Sequence, residues 1–582
     1  MSNQEPDLTA AQSPSASGTS TRDVEVANQL AAGRDYFAAH DYARAAECFE
    51  RAIAMRHDCG EAHLLRGDLY AATGDRDDAL DCYQLAAHFA PQNSTAQVAL
   101  AEALLECGSD ADAEAACRRA IADNPVSSRA WLCLGNILKR RGALEQAAEA
   151  YRVAWKQDPA EIRALEQLAF VLFRLGQYDD AFAHFQVLLG AAPGSHRAHH
   201  NFGLLQLETG FAAEALGSFT RALQLQAETV ESVTCAGHAL RDLGRIEEAI
   251  AYYDRALGLR PGFGDALANR ALALLLKGDF ANGWTQYENR FEAGGKQRRS
   301  IGAPVWRGEM LQGKSVAVLS EQGVGDEIMF ASCLPDLVAA ASQVTLACEP
   351  RLTALFQRSF PAAIVVPQQS PDDARSSARL TADFEISIGS LPMRFRPAVN
   401  SFPQTAAYLR ADPAKISRWR ERCASSGQGM RVGIAWRGGT LRNRQRLRSL
   451  DFKELERLAG APGCDFFSLQ AGDHRETLNR IRERTGIEIH DAMSDIGQDF
   501  DELAAAIAAL DLVITVDNTV AHLSGALGRP TWVMLPYSAE WRYGQCSSTT
   551  PWYPTMRLFR QAEPRDWDPV VTEVLQFLQR SV

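Results

Sequence analysis

The sequence predicts an α-helical solenoid followed by two α/β units with parallel sheets. Three observations predict this: a 34-residue recurrence in the first half, its end near residue 297, and the later alternation of short apolar runs with helical stretches. Gly74, Gly108, Gly142, Gly176, Gly210, Gly244 and Gly278 are successively 34 residues apart. Ala45, Ala79, Ala113, Ala147, Ala181, Ala215 and Ala249 keep the same step, and so do Pro91, Pro125, Pro159, Pro193 and Pro261, with Ala227 in the gap. Three residue types at one period mark a repeated supersecondary unit. Each unit reads as two amphipathic helices. The first ends near the glycine, which suits a left-handed C-terminal residue. The second carries the alanine near its start, and a further alanine seven residues on (Ala52, Ala86, Ala120, Ala154, Ala222, Ala256) lies on the same face. The proline closes the unit because it cannot continue a helix. The expected repeats are 26–59, 60–93, 94–127, 128–161, 162–195, 196–229, 230–263 and a degenerate 264–297. Residues 1–25, polar and rich in Ser, Thr and Ala, are expected to be a disordered tail.

Composition narrows the function classes. The chain has 582 residues and a net charge of −12, which argues against general nucleic-acid binding. The N-terminus lacks the basic start and apolar stretch of a signal peptide, and the apolar runs fall short of a membrane span. Twelve cysteines occur without a CxxC pair. Free thiols in a reducing compartment account for them, so a cytoplasmic location without a membrane span is expected.

The 34-residue units resemble the tetratricopeptide family over about 270 residues. Stacked repeats of this kind curve into a superhelix with a concave groove, so a protein partner is expected there. Some repeat-bearing protein glycosyltransferases line the groove with asparagine at the sixth residue of each repeat. Here those positions are Ala31, Leu65, Ala99, Cys133, Gln167, Asn201, Cys235 and Asn269. The ladder is mostly absent, and the periodic residues themselves read as packing.

Beyond Arg299 the chain reads as α/β. Strands are expected at 315–320, 344–348, 363–366 and 384–388, then at 432–436, 465–469, 512–516 and 531–535. Two doubly wound units in series (298–412 and 413–582) imply a cleft, with ligands beyond the carboxyl ends of the strands. Asp511–Pro536 is the most informative segment. A buried strand ends at Val516, Asp517-Asn518-Thr519 can cap the next helix, and Gly528-Arg529-Pro530 returns the chain to a strand. Free N–H groups at that helix start favour an anion such as a diphosphate.

The segment resembles the donor-site motif of glycosyltransferase family 9, the heptosyltransferase-like enzymes, in which Asp, small residues, His and Gly-x-Pro recur at this spacing. It departs from the family in Val520 and Asn518, where Gly and Ser or Thr are usual. The resemblance covers roughly 313–582 and is closest to the variety fused to tetratricopeptide repeats. It implies a GT-B-like pair of Rossmann-like domains and a sugar moved from a nucleotide-sugar co-substrate, with no other cofactor and no metal. Gly323-Val-Gly325-Asp326 before an apolar helix and Leu334-Pro335 resembles the family's first-domain motif, and implies that Asp326 is the catalytic base. Asp517, Asn518, Thr519 and His522, with Gly323 and Gly325, are the implied donor-binding residues. The same loop also fits a nicotinamide-binding turn, with Glu349 on a ribose, but Ile328 stands at the third small-residue position.

Arg437, Arg442, Arg444, Arg446 and Arg448 follow the first strand of the second unit. Arginine pairs with phosphate in bidentate fashion, so Arg437, Arg442 and Arg448 are candidate phosphate ligands. Asp499-Phe-Asp501 matches a metal-binding DxD pattern, but it opens a helix, where acids favour the positive end. Trp541 and Tyr543 either stack on a base or sugar or pack in the core. The combined expectation is an inverting glycosyltransferase, with a saccharide or protein acceptor and repeats that bind an acceptor or partner. The rival expectation is an inactive scaffold retaining a nucleotide-binding fold.

Overall fold

The computed structural model describes residues 21–292, 298–368, 380–425, 427–439 and 444–581. It divides into two compact units, one ending at Pro193 and the other beginning at Gly194. The division therefore falls inside the repeats, whereas the period itself runs on to about 297.

In the first unit, helices run in consecutive pairs from Thr21–Ala38 and Tyr42–Met55 to Ile162–Arg174 and Tyr178–Ala191. Residues 21–25, expected in the tail, belong to the first helix; residues 1–20 lie outside the described residues. Gly74, Gly108, Gly142 and Gly176 follow first helices with φ between 75° and 93°. A side chain there costs about 1–2 kcal/mol, which explains why glycine recurs. A second small residue also recurs in the first helices. Gly33, Gly67 and Gly135 lie under the rings of Phe49, Tyr83 and Tyr151, and a Cβ on Gly135 would come within 2.5 Å of the Tyr151 ring. The aromatic ring fills the place of a side chain. Ala45, Ala52, Ala79 and Ala86 are buried where helices approach.

The second unit opens with three further helix pairs, His196–Glu208 to Phe280–Tyr287. The same packing recurs, with Phe219 over Gly203 and Tyr253 over Gly237. The last helix is short and runs into a 3-10 turn at Glu288–Phe291.

Two wholly parallel sheets follow. Strands β1 (Ser315–Leu319), β2 (Gln343–Cys348), β3 (Ile364–Pro367) and β4 (Phe384–Ser387) are ordered β3-β2-β1-β4. Strands β5 (Met430–Ala435), β6 (Cys464–Ser468), β7 (Ile489–Asp491), β8 (Leu512–Val516), β9 (Thr531–Leu535) and β10 (Met556–Arg560) are ordered β10-β9-β8-β5-β6-β7. The edge strands β7 and β10 were not expected from the sequence. β7 spans three residues, and β10 interrupts its apolar run with Arg557 and Arg560. In each sheet the first strand has neighbours on both sides, so the order reverses at β1/β4 and at β5/β8. Crevices open at such reversals, beyond the carboxyl ends of the strands.

One hydrophobic core joins the last repeat to both sheets. Phe280, Trp284 and Tyr287 share it with Phe330, Leu334 and Leu346 of the first sheet region and Val513, Val533 and Leu535 of the second. Trp284 lies 5.4 Å from Trp541 and 6.2 Å from Trp552, ring centre to ring centre, and its indole N–H donates to the Arg396 carbonyl at 2.9 Å.

Candidate functional site

A cavity of about 1150 Å³ lies at the carboxyl ends of β1, β5, β6, β8, β9 and β10. It collects Gly323, Gly325 and Asp326 from the loop and helix after β1, Arg437 and Arg448 from the segment after β5, and Asp517, Asn518, Thr519 and His522 after β8. Every expected site residue that the structure describes therefore lines one cavity. Arg442 lies outside the described residues.

The first wall is built at the end of β1. The helix begins at Val324, earlier than expected, so Asp326 sits in its first turn with its carboxyl at the cavity wall. Gly325 is required by the facing wall: a Cβ there would come within 3.0 Å of the His522 ring. No such constraint falls on Gly323, whose Cβ would approach only the Asp326 carboxyl at 3.9 Å.

Asp326 accepts a hydrogen bond from the Arg542 Nη2 at 2.6 Å. Burial pushes its carboxyl above the ordinary aspartate range, the charge of Arg542 pulls it back, and Glu540 and Asp517 push it up again. The net rise suits a proton acceptor.

The facing wall decides which of the three candidate caps is used. Asn518, rather than Asp517, caps the helix Thr519–Ala526, its Oδ1 accepting from the N–H groups of Val520 and Ala521. The helix start is thus partly satisfied by its own side chain, so the free N–H groups expected there are reduced. Asp517 is 1% exposed and organises its neighbours. Its carboxylate accepts from Arg448 Nη2 at 2.6 Å and from the Tyr543 hydroxyl at 2.9 Å. A buried carboxylate held this way aims a guanidinium at the cavity without meeting an anion itself.

His522 is buried, and its Nδ1 pairs with the Tyr553 hydroxyl at 2.9 Å. Burial, reinforced by Arg542 and Arg448, holds its pKa well below the ordinary histidine value. It is therefore a neutral polar group and not a cation.

The arginine-rich segment divides its work. Gly438 closes it: the Gly438 N–H donates to Ser449 Oγ at 3.1 Å, and a Cβ on Gly438 would come within 2.6 Å of the Asp517 carbonyl. Arg448 faces the cavity, while Arg437 is exposed at its rim and donates to the Asp473 carbonyl at 3.4 Å. Arg444 instead forms an ion pair with Asp242 of the helix Val230–Asp242, and Ser538 Oγ donates to the same carboxylate at 3.0 Å. Burial raises the Asp242 pKa, but Arg444 and Arg241 outweigh it and hold the carboxyl below its ordinary value.

The repeats contribute directly. Glu208, Arg241, Asp242 and Asn269 all line the cavity. The sequence reading assigned the repeats almost no chemistry, because their period reports packing and hides side chains that serve one site only. Asn269, one of the two asparagines at the sixth repeat position, accepts from Arg241 at 2.9 Å.

Arg542 also lines the cavity, although the sequence signal there comes from the aromatic residues beside it. Of these, Tyr543 is buried against Asp517 and Trp541 packs in the shared core, so stacking on a ligand is confined to the edge of Trp541 that reaches the cavity. Asp499 caps the helix Phe500–Ala509, and Asp501 pairs with Arg358 Nη2 at 3.0 Å. Neither lines the cavity. Glu349 donates its N–H to Glu327 at 2.9 Å and also lies outside the cavity lining.

Glu327, behind Asp326, is buried and bonded to Ser320 and to the Glu349 N–H. Burial raises its carboxyl to about 7. A raised carboxyl pKa gives stability that is present below about 4.5, the unfolded value, and lost as pH rises through about 7. Glu327→Gln mimics the protonated form. Its melting temperature relative to the parent is expected to rise between pH 5 and pH 8. A difference that stays constant across that window would count against this.

Comparisons with known proteins concern the repeats first. Tetratricopeptide-repeat family models match residues 30–94, 70–128, 98–162 and 236–297, and a second such model matches 163–195. The first half of the chain is a tetratricopeptide array. The chain is 33% identical over 399 residues, 65% of its length, to protein FlbA of Caulobacter vibrioides, and the match spans 66% of that protein. Similar solved structures include YrrB, described as a tetratricopeptide protein with an unusual peptide-binding site (18% identity, 32% of this chain and 95% of that one, TM-score 0.28). Pseudomonas aeruginosa PilF is another (18% identity, 37% of this chain and 98% of that one, TM-score 0.34). Among the described residues, no helix is long and apolar enough to cross a membrane.

Proposed function

We propose that the chain is a metal-independent, inverting glycosyltransferase of the GT-B type, similar to family 9, with repeats that engage the acceptor or a protein partner. The observation that carries this reading is the convergence of Asp326 from one parallel sheet region with Arg448, Asn518, Thr519 and His522 from the other in a single cavity. Nucleotide-sugar chemistry needs those two halves: a carboxylate for the acceptor hydroxyl, and cations with N–H donors for the leaving diphosphate.

In this reading Asp326 takes the hydroxyl proton as the acceptor oxygen attacks the anomeric carbon. The bond from that carbon to the diphosphate oxygen breaks, and its electron pair leaves with the diphosphate. Arg448 and Arg437 stabilise the growing negative charge. Neutral His522 fixes the facing wall against Gly325. The reaction would run in the cytoplasm, where nucleotide sugars are supplied.

One observation favours a second reading, a scaffold that binds without turnover: Asp326 is already engaged by Arg542. The experiment that separates the two incubates the full chain with UDP-, GDP-, ADP- and CMP-sugars, with and without candidate acceptors, and measures nucleotide release. Release supports the transferase. Binding without release supports the scaffold. No binding of any nucleotide would sink both.

A further inference from the structure

Asp517 lies between two arginines. Arg448 Nη2 meets its Oδ2 at 2.6 Å, and Arg542 Nη1 approaches its Oδ1 at 4.0 Å. Arg542 turns its other terminal nitrogen to Asp326, at 2.6 Å. The Nε atoms of both arginines are buried without a hydrogen-bond partner among the described residues. A guanidinium has five donors in a planar fork that matches a phosphate, and both side chains line the cavity without filling that fork, although Arg448 Nη1 also lies 3.5 Å from Glu540. The arrangement is held in place from behind: Asp517 is buried, and the Arg542 guanidinium lies 5.5 Å from the centre of the Trp541 ring.

We propose that Arg542 and Arg448 form a two-arginine clamp for a diphosphate, and that Arg542 holds Asp326 until a diphosphate draws it away. This rests on the transferase reading above. The base is tied to a cation. A diphosphate offers that cation a doubly charged, bidentate partner in place of a single carboxylate oxygen. Once Arg542 turns to the phosphate, Asp326 is released toward the acceptor hydroxyl. Donor binding then precedes activation of the acceptor, and an acceptor alone meets an occupied base.

The consequence is competition between Asp326 and phosphate for one guanidinium. Removing either member moves anion binding in opposite directions, and the double variant separates this competition from simple charge effects: independent charges would return it toward the parent, whereas competition leaves it like the arginine variant. The test is calorimetric titration of the full chain with sodium pyrophosphate at fixed pH and ionic strength. Arg542→Gln is expected to weaken pyrophosphate binding at least tenfold. Asp326→Asn is expected to tighten it, and the double variant to bind like Arg542→Gln. Arg542→Lys, which keeps the charge but loses the fork, is expected to fall between the parent and Arg542→Gln, and it covers the case in which Arg542→Gln does not fold. Parent-like binding in the folded Arg542 variants, or weaker binding in Asp326→Asn, would overturn the clamp. If the parent binds pyrophosphate and releases nucleotide while the Arg542 variants bind normally, only this inference fails. If the parent binds neither pyrophosphate nor a nucleotide, the transferase reading fails with it.

Discussion

Asp326→Asn is expected to lower sugar transfer by about 10²–10⁴-fold, the usual contribution of a placed general base, while the protein still binds nucleotide. The substitution keeps the shape of the side chain and removes its ability to take a proton. The carboxyl sits at the cavity wall in the first turn of the helix Val324–Phe330, with its nearest cation on the opposite wall. The assay is initial-rate transfer beside a direct measurement of nucleotide binding. Full activity would remove Asp326 from the chemistry, and loss of both transfer and binding would assign it to building the site instead.

Trp284→Ala is expected to cost about 3–5 kcal/mol of stability, as large-to-small substitutions of buried aromatics do. Trp284 is 1% exposed and belongs to the last helix of the repeats. Its ring meets Phe330 of the first sheet region and Trp541 and Trp552 of the second, and the Arg396 carbonyl loses its donor when the indole is removed. Denaturant unfolding followed by far-ultraviolet circular dichroism and tryptophan fluorescence reads the loss. The two signals are expected to shift together, since helices and sheets share that core. A loss below about 1 kcal/mol would show that the cluster repacks around the gap.

The residues most visible in the sequence were those whose role is local. Gly74 and its counterparts at 34-residue steps answer to a backbone angle, and that requirement repeats in every unit. The strands around Val316 and Val513 were legible because buried parallel strands are apolar throughout. β7 and β10 were not, since an edge strand needs no apolar run to be held by its neighbour. Asp326, Arg448 and His522 stood out through motifs. Arg542 did not, because nothing near it in sequence reveals that Asp326 lies 216 positions away and within hydrogen-bonding distance. Asp242 was hidden for the same reason: its partner Arg444 is 202 positions away. The sequence leaves Asp517, Asn518 and Thr519 all open as the cap, because each of these residue types can fill it, and only the backbone decides that Asn518 stands at the helix start.

The core that runs from the last repeat through both sheets has a bearing on how such a chain can be rebuilt. The period invites a cut near residue 297, where the last repeat ends. A fragment beginning there would leave Phe330, Trp541 and Trp552 without Trp284, and Arg444 without Asp242. Exposed aromatic surface of that kind invites association. The division into compact units, between Pro193 and Gly194, gives a fragment that keeps three repeats with the sheets and carries every described residue lining the cavity. Shuffling repeats between related chains is accordingly a matter for the first five, whereas the last three travel with the site they help to enclose.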